Sequence, residues 1–235
     1  MRAPIITVDG PSGVGKGTIA MMIATKLGFR YLDSGSLYRS LALKIYKKNK
    51  NFEAALDNLD EYLKDIHIDF QYTLGGKAKI FVNNEDFTQK IRTEEVAVLA
   101  SKIAKKKSAR DMLEDYQRNY ISTPGLVADG RDMGTKVFSD ANIKFFLTAS
   151  VEKRAERRLN QLKDQGISAN LPNLIQELLL RDKADTERLI SPLIPAKDAI
   201  IIDTSDISAE EAFDIIINII KENLKNLWVK IFQDY

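Results

Sequence analysis

The chain has 235 residues, 44% of them hydrophobic, and a formal net charge of +2. This length can bury one sizeable core, and the near-neutral charge argues against a general nucleic-acid coat. The lack of cysteine excludes disulfides and thiolate chemistry and suits a reducing cytosol. We expect neither a signal peptide nor a membrane span, because the most apolar run, residues 215–220, is far too short to cross a bilayer.

The first predicted elements are a buried strand at residues 4–9 and a helix at residues 16–27. Glycines in the turn between them let consecutive backbone N–H groups point at one anion, and the helix N-terminus adds positive charge. Lys16 brings a mobile cation, and the spacing fits Walker A except that Gly17 stands where Ser or Thr is usual. We predict a phosphate-binding loop rather than an ordinary turn. The loop consists of Gly10, Pro11, Ser12, Gly13, Val14, Gly15, Lys16, Gly17 and Thr18.

A small antiparallel sheet is predicted to interrupt the chain after the next helices. A second short strand ends at residues 31–32, a helix starts at residues 33–35, and helical periodicity continues over residues 52–63. The period then changes to two over residues 67–74. Gly75-Gly76 and the apolar stretch that follows indicate a hairpin whose second strand covers residues 78–82.

The remaining segments alternate between short apolar strands and helices, which predicts an α/β fold with a parallel sheet covered on both faces. Helices are expected at about 92–106 and 108–121, on both sides of a break at 166–170, and at 209–232, with strands at 126–128, 143–147 and 200–202.

Two loops with charged residues follow predicted strands, at the end of a parallel sheet where ligands bind. In the first loop, Arg39 can hold a phosphate bidentately with Asp33 to orient it, or the two are a helix cap and a solvated arginine. In the second loop, residues 129–134, Asp129 can reach a magnesium ion directly or through water, with Thr18 as the other candidate ligand. Arg131 lies there beside two carboxylates, and we favour a functional loop over a glycine turn with surface ion pairs.

Five arginines lie between residues 151 and 188, on both sides of the break. Together with the phosphate loop they predict a mobile basic flap that closes over the transferring phosphates and excludes water. Without that loop, two solvated helices would be the better interpretation. We expect Arg154 to matter less than Arg131, Arg181 and Arg188. One helix face carries Arg154, Arg157 and Arg158, and another carries Arg181, Asp185 and Arg188.

The sequence offers no general base near these motifs. Its one histidine, His67, falls in the hairpin, and no Ser-His pair or His/Cys metal spacing is present. A phosphate acceptor explains this, because its second pKa is about 6 and its oxygen is already ionised at neutral pH. Phosphoryl transfer then requires positioning and charge neutralisation, which Lys, Arg and Mg²⁺ supply.

Taken together, these motifs resemble those of the cytidylate kinase family of nucleoside monophosphate kinases. They occur in order over nearly the whole chain, which makes the resemblance far more specific than the phosphate loop alone. The matching segments are residues 8–18 (VDGPSGVGKGT), 32–39 (LDSGSLYR), 91–96 (IRTEEV), 128–135 (ADGRDMGT), 181–188 (RDKADTER) and 192–195 (PLIP).

The resemblance implies transfer of the γ-phosphoryl group of ATP to CMP or dCMP, with Mg²⁺ as the cofactor. The implied catalytic residues are Lys16, Arg131, Arg181 and Arg188. Arg157 and Arg158 join residues 10–18 at ATP, and the acceptor site comprises Asp33, Ser34, Tyr38, Arg39, Ser101, Arg110, Arg131, Asp132, Arg181, Asp185 and Arg188. Within that acceptor set, the resemblance assigns cytosine reading to Ser101, Arg110 and Asp132.

The same resemblance implies one kinase unit over residues 1–235, in a P-loop nucleoside monophosphate kinase fold. Its core would be residues 1–63, 108–150 and 190–235, its acceptor-binding region residues 33–107, with a small antiparallel insertion, and its mobile helical lid about 154–188. We expect a cytoplasmic monomer that binds neither a nucleic-acid polymer nor a membrane. Residues 226–235 match nothing in the family that we can identify.

Two other functions remain compatible with the residues alone. One is a kinase for another small acceptor, such as UMP or shikimate. The other is a nucleotide-dependent switch protein, although the Asn-Lys-x-Asp guanine reader of such proteins is missing from the sequence.

Overall fold

The computed structural model describes residues 3–49, 51–64, 66–72, 78–164 and 166–223. These residues form two units, one containing the chain up to Tyr31 and from Ile121 onward, the other containing Leu32–Tyr120. In chain order the elements are β1 (Ile5–Asp9), α1 (Lys16–Leu27), β2 (Arg30–Asp33), α2 (Ser34–Lys48), α3 (Phe52–Asp57), α4 (Leu59–Leu63), β3 (Ile68–Tyr72), β4 (Ala78–Val82), β5 (Glu85–Asp86), a 3₁₀ turn (Lys90–Arg92), α5 (Glu94–Ile103), α6 (Lys107–Arg118), β6 (Leu126–Gly130), a π-helical turn (Met133–Val137), β7 (Ile143–Thr148), α7 (Val151–Asp164), α8 (Leu171–Thr186), β8 (Ile200–Asp203) and α9 (Ala209–Asn223).

The larger sheet has five strands in the order β2-β6-β1-β7-β8. β1 pairs in parallel with both β6 and β7, and β7 pairs in parallel with β8, which confirms the predicted parallel sheet. All five residues of β1 are buried. Because successive side chains of a strand point to opposite faces, the sheet is covered on both sides at its centre.

Helices α1 and α9 supply much of this cover. Ile19 and Ile23 of α1 and Ile216 and Ile220 of α9 are fully buried in one apolar cluster with the central strands. The helical spacing of these apolar residues places them on one face of each helix. The carboxyl ends of β1 and β6 are in register, since Asp9 pairs with Gly130, so the loops that follow the two strands start side by side.

The second unit contains the predicted antiparallel insertion. β3 and β4 pair antiparallel, which confirms the hairpin strands, while its predicted turn at residues 73–77 lies outside the described residues. A third strand, β5, was not predicted because it is only two residues long. Asn83 and Asn84, both with positive φ, join it to β4, and asparagine is among the residues that tolerate such a turn.

Several helices differ in detail from the prediction. The helical stretch at residues 52–63 is interrupted at Asn58, whose φ of −117° and ψ of 35° end α3 and precede α4. α5 begins at Glu94 because the Thr93 side chain accepts a hydrogen bond from the Val96 N–H. The last helix is described as far as Asn223, and the rest of its predicted range lies outside the described residues.

A helix that crosses a bilayer needs about 20 mostly apolar residues. Within the described ranges, no helix is both long enough and apolar enough to cross a membrane.

Gly10, at the end of β1, occupies a position that no other residue fits. Its φ is +149°, and a Cβ there would lie 2.2 Å from the Leu147 carbonyl oxygen of β7. Gly28, after α1, also has a positive φ of +64°, but within the described residues no atom would lie within 4 Å of its Cβ. Substitutions at Gly10 and Gly28 therefore distinguish the cost of a strained backbone conformation from the additional cost of a steric clash.

We predict that Gly10→Ala lowers the free energy of unfolding by about 3 kcal/mol or more, since strain and overpacking add. Gly28→Ala, the matched control, should cost only about 1 kcal/mol, because it carries the conformational cost alone. Urea unfolding followed by circular dichroism measures both values. Equal costs for the two variants would contradict the close approach of Gly10 to β7.

Candidate active site

The predicted phosphate loop lies between β1 and α1, in the first unit. Gly13 and Gly15 have φ values of 84° and 91°, and Gly15 precedes the first turn of α1 in the left-handed conformation. Among the described residues, no side chain caps this helix end. The loop backbone and the first turn of α1 therefore form the type of N–H cradle in which phosphates bind.

Lys16 is folded across this loop. Its side chain is buried, and the residue is only 7% exposed. The ammonium Nζ donates a hydrogen bond to the Pro11 carbonyl oxygen at 2.9 Å. The cation is thus held at the loop itself, where its charge is poorly screened by water.

Donors from distant parts of the chain bind the carbonyl oxygens of the loop. Arg154 Nη1 donates to the Ser12 carbonyl at 3.1 Å. Thr204 Oγ1 lies 3.2 Å from the Val14 carbonyl and 3.1 Å from the Thr148 carbonyl, and its one hydrogen is shared between these two acceptors. Carbonyls that are bound from behind leave the N–H groups of the loop to face a ligand. Sequence analysis missed Thr204, because nothing in the sequence connects it to a loop 190 residues away.

Asp129, at the end of β6, approaches the loop at Gly17. The carboxylate is buried and accepts a hydrogen bond from the Tyr31 hydroxyl at 2.7 Å. A Cβ at position 17 would lie 3.3 Å from Asp129 Oδ2 and 3.4 Å from the Tyr31 hydroxyl. This crowding is a physical reason for glycine at the position where Walker A loops usually carry Ser or Thr.

The same carboxylate suits a magnesium ion. Mg²⁺ is usually held by one or two carboxylates together with substrate phosphates, and Asp129 places one carboxylate oxygen beside the phosphate loop. Thr18, exposed on α1, is the second candidate ligand. In the described ranges no three His, Cys, Asp or Glu side chains gather into a metal-binding group.

Asp9, the last residue of β1, holds the loop that follows β6. Its two carboxylate oxygens accept hydrogen bonds from the N–H groups of Met133 and Gly134, at 2.9 and 2.7 Å. Burial raises the pKa of Asp9 to about 6, with Asp132 nearby acting in the same direction, although the two N–H bonds and Lys16 oppose the shift. The π-helical turn at Met133–Val137 is thereby fixed against β1.

Charged side chains of the 129–134 loop meet the end of α8. Arg131 Nε donates to Asp185 Oδ2 at 2.8 Å, with both side chains largely buried. Arg188 Nη2 lies 3.7 Å from Asp132 Oδ1, and its Nη1 lies 4.0 Å from Asp185 Oδ1. Arg131 was expected beside the carboxylates adjacent in sequence, whereas the partner that the structure pairs with its Nε is Asp185, 54 residues further along the chain.

Three arginines set the electrostatics of Asp185. Burial by itself would raise the pKa of this carboxyl, but Arg131, together with Arg181 and Arg188, holds it below its ordinary value. The carboxylate therefore stays ionised and gathers the guanidinium groups at one place. Such a group of cations can neutralise the charge of a transferring phosphoryl group.

The three α7 arginines share one helix face, as predicted, but have different hydrogen-bond partners. Arg157 donates to the carbonyl and the hydroxyl of Thr204, while Arg158 donates to Gln161 Oε1 at 2.9 Å. Arg154 is buried against the loop. Of the three, Arg154 therefore contacts the predicted phosphate loop directly, and Arg157 reaches it through Thr204.

The second unit holds the other predicted acceptor residues. Asp33 caps α2 by accepting from the Ser36 N–H at 2.9 Å, and Arg39 Nη1 donates to the Ile91 carbonyl at 3.0 Å. The Arg110 guanidinium lies 5.7 Å from the centre of the Tyr38 ring and donates to the Ala104 carbonyl. Ser34 is buried at the start of α2, and Ser101 is half-buried on α5. Arg110 itself is buried on α6.

A parallel sheet with a glycine-rich lysine loop after its first strand defines the class of P-loop nucleotide-binding proteins. The family model for cytidylate kinase matches residues 6–222. The chain belongs to the cytidylate kinase family.

Individual relatives are similar over nearly their whole lengths. Cytidylate kinase of Shewanella sediminis (strain HAW-EB3) is 45% identical over 230 residues, which covers 96% of this chain and 98% of the relative. Cytidylate kinase of Colwellia psychrerythraea (strain 34H / ATCC BAA-681) is 46% identical over 217 residues, covering 91% and 94%. Among solved structures, a gluconokinase from Sinorhizobium meliloti 1021 is similar at 13% identity and a TM-score of 0.48, with 97% of each chain covered.

The pKa of Asp9 makes stability depend on pH in a particular direction. Because the folded protein holds this proton with a pKa of about 6 instead of the ordinary 3.8, the folded state binds it more strongly than the unfolded chain does. Stability from this group is therefore gained as the pH falls through 6 and is complete below about 4.

We predict that the free energy of unfolding of the parent, minus that of Asp9→Asn, increases by about 2.5 kcal/mol between pH 7 and pH 4. Using the difference between the two proteins removes the contributions of the other carboxylates. Urea unfolding at half-unit pH steps measures it. A difference that stays flat over this range would show that Asp9 is not buried as an ionisable group.

Proposed function

We propose that this chain is a phosphotransferase that moves the γ-phosphoryl group of ATP to CMP or dCMP, giving ADP and the corresponding diphosphate. Membership of the cytidylate kinase family supports the reaction and the acceptor. The structural observation that supports this proposal is that the first unit contains two cationic groups. Lys16 lies at the phosphate loop, and three arginines gather around Asp185.

The transfer needs little proton chemistry from the protein. An oxygen of the acceptor phosphate forms the new bond to the γ-phosphorus while the bond from that phosphorus to the β–γ bridging oxygen breaks. With a second pKa of about 6, the acceptor oxygen is already ionised at neutral pH, so no side chain has to remove a proton. His67 has no role in this reaction.

Each charged group then has an assigned place. The backbone N–H groups of residues 10 and 12–18 and the Lys16 ammonium hold the β- and γ-phosphates, with Pro11 part of the same loop and Arg157 and Arg158 as further ATP ligands. Arg131, Arg181 and Arg188 neutralise the charge that moves between donor and acceptor. When bound, Mg²⁺ would supply charge neutralisation to the phosphates, and Asp129 or Thr18 would hold it, directly or through water.

Recognition of the acceptor is assigned to the residues that the family resemblance implies. Asp33, Ser34, Tyr38 and Arg39 surround the nucleotide, and Asp185 lies near its sugar and phosphates. The N4 amine of cytosine can donate a hydrogen bond to a carboxylate such as Asp132. Uracil has an acceptor, O4, at the same position, so it cannot make this bond. Ser101 and Arg110 bind the remaining polar edge of the base.

The domain roles follow from the same assignment. Residues 154–188 act as the mobile lid and residues 33–107 as the acceptor-binding region, on a core of residues 1–63, 108–150 and 190–235. We further propose a cytoplasmic monomer that binds small nucleotides and neither a nucleic-acid polymer nor a membrane. Light scattering at working concentrations tests the oligomeric state.

A coupled ADP-release assay with a panel of acceptors tests the function. We predict rapid ADP release with CMP and dCMP, slower release with UMP, and none with shikimate or without an acceptor. Lys16→Ala should lower kcat about 10²–10³-fold, comparable to the loss of one preorganised donor. Lys26→Ala, an exposed lysine on the same helix, is the matched control and should behave as the parent. Steady nucleotide hydrolysis without any acceptor would favour a switch protein instead.

Base selection is tested at Asp132. Asp132→Asn supplies an amide whose donor can turn towards uracil O4, so the ratio of kcat/KM for CMP to that for UMP should fall by about 1–3 kcal/mol of discrimination. Asp185→Asn is the control, since it removes a neighbouring carboxylate that pairs with Arg131 and should reduce both substrates alike. If the ratio is unchanged in Asp132→Asn, Asp132 does not read the base.

A further inference from the structure

Arg154, in the first turn of α7, joins three separate segments of the first unit. The residue is 5% exposed. Its Nε donates to the Ala149 carbonyl and its Nη1 to the Ser12 carbonyl, both at 3.1 Å. Its Nη2 donates to Asp182 Oδ2 at 2.6 Å. One guanidinium thus connects the start of α7, the phosphate loop and α8.

A buried arginine with this set of acceptors is a rigid connector. The guanidinium is planar and presents its donors in a fixed fork, so three acceptors bound to it are held in fixed relative positions. The charge is compensated by the Asp182 carboxylate, whose side chain is mostly buried as well. Separating the two members of such a pair within the protein leaves both charges uncompensated, so a lid movement that breaks this connection has a free-energy cost.

The phosphate loop also packs directly against Arg154. A Cβ at Gly13 would lie 3.2 Å from Arg154 Cβ, so the loop backbone and the root of the arginine side chain are already in close contact. Together with the bond to the Ser12 carbonyl, this contact fixes the middle of the loop from the side of α7. The orientation of Ser12 and Gly13 therefore depends on Arg154.

At the other end of the connection, Asp182 lies on α8, the helix that carries Arg181 and Asp185. Arg181 precedes it in the chain, and Asp185, which gathers Arg131 and Arg188, follows one turn later. A shift of α8 at Asp182 is therefore also a shift of these charges. Hydrogen bonds run from the Ser12 carbonyl through Arg154 to Asp182, and the backbone of α8 joins Asp182 to Asp185.

We propose that Arg154 is a positioning residue that couples the phosphate loop to α8, holding the loop in its binding conformation through Ser12 and setting the arginine group through Asp182. The inference rests on the proposed phosphotransferase function, and neither Arg154 nor Asp182 needs to touch a substrate. The two contacts have separate consequences, because the Ser12 contact governs ATP binding and the Asp182 contact governs the phosphoryl-transfer step. Arg154 therefore has a larger role than its place on a helix face suggested.

The test uses Arg154→Met, Asp182→Asn and the double variant of the full chain. Calorimetry with MgATP and no acceptor gives the ATP affinity, and the coupled assay gives kcat. In Arg154→Met we expect ATP affinity and kcat each to fall about tenfold or more, the loss of a charged hydrogen bond. In Asp182→Asn the Ser12 contact remains, so ATP affinity should stay within about twofold while kcat falls about tenfold. The double variant should be no worse than Arg154→Met, since both changes cut the same connection.

Lys153→Met is the matched control, because Lys153 is exposed on the same helix, beside Glu156. It should resemble the parent in affinity, kcat and melting temperature. If Arg154→Met does not fold, Arg154→Lys replaces it, since a lysine keeps the charge but cannot hold the acceptors in one plane and should show the same loss of ATP affinity.

Two results would overturn the proposal. One is a lowered melting temperature with parental ATP affinity and kcat well below that temperature, which would make Arg154 purely structural. The other is multiplicative losses in the double variant, which would mean that the two residues act independently. Failure of the proposed function is a separate outcome, because the calorimetry needs no acceptor and kcat can be measured with whichever monophosphate the parent phosphorylates.

Discussion

The burial of the Asp9 carboxylate between β1 and the loop after β6 is the interaction on which the phosphate-transfer edge of the protein depends. It occurs where the phosphate loop begins, and its two oxygens bind the N–H groups of Met133 and Gly134. Removing a carboxylate from water is costly, and here two backbone donors and the neighbouring Lys16 offset the cost. One end of this contact leads to the predicted phosphate loop and the other to Arg131 and Asp132.

The conformation of the phosphate loop therefore depends on contacts with distant segments as much as on its own glycines. Gly10 is pressed against the β7 backbone, Ser12 is held by Arg154, and Val14 is held by Thr204. Each contact comes from a different segment, so the loop conformation is a product of the assembled sheet. A preorganised cradle of this kind has little reorganisation left to do when phosphate charge arrives.

The arginines follow the same principle of fixed charge. Arg131 and Arg188 are arranged around Asp185, whose negative charge offsets the repulsion between them, and Arg154 connects α8, the helix that carries Asp185, to the phosphate loop. Arg131, Arg188 and Asp185 thus form one group of charged side chains within the first unit. This arrangement suits a reaction in which the acceptor oxygen is already ionised and positioning is the main requirement.

The sequence by itself determined the parallel sheet, the insertion strands, the P-loop and the family, because periodicity and glycine spacing are local properties of the chain. It also selected Arg131, Arg181, Asp185 and Arg188 as one candidate group, whose assigned roles stay a prediction. Only the tertiary structure decided that Arg131 pairs with Asp185, that Thr204 and Arg154 hold the loop, and that Asp129 and Tyr31 crowd position 17. These contacts join residues 54 to 190 positions apart, or depend on the register of strands, and no local pattern encodes which distant side chain will fill a given gap.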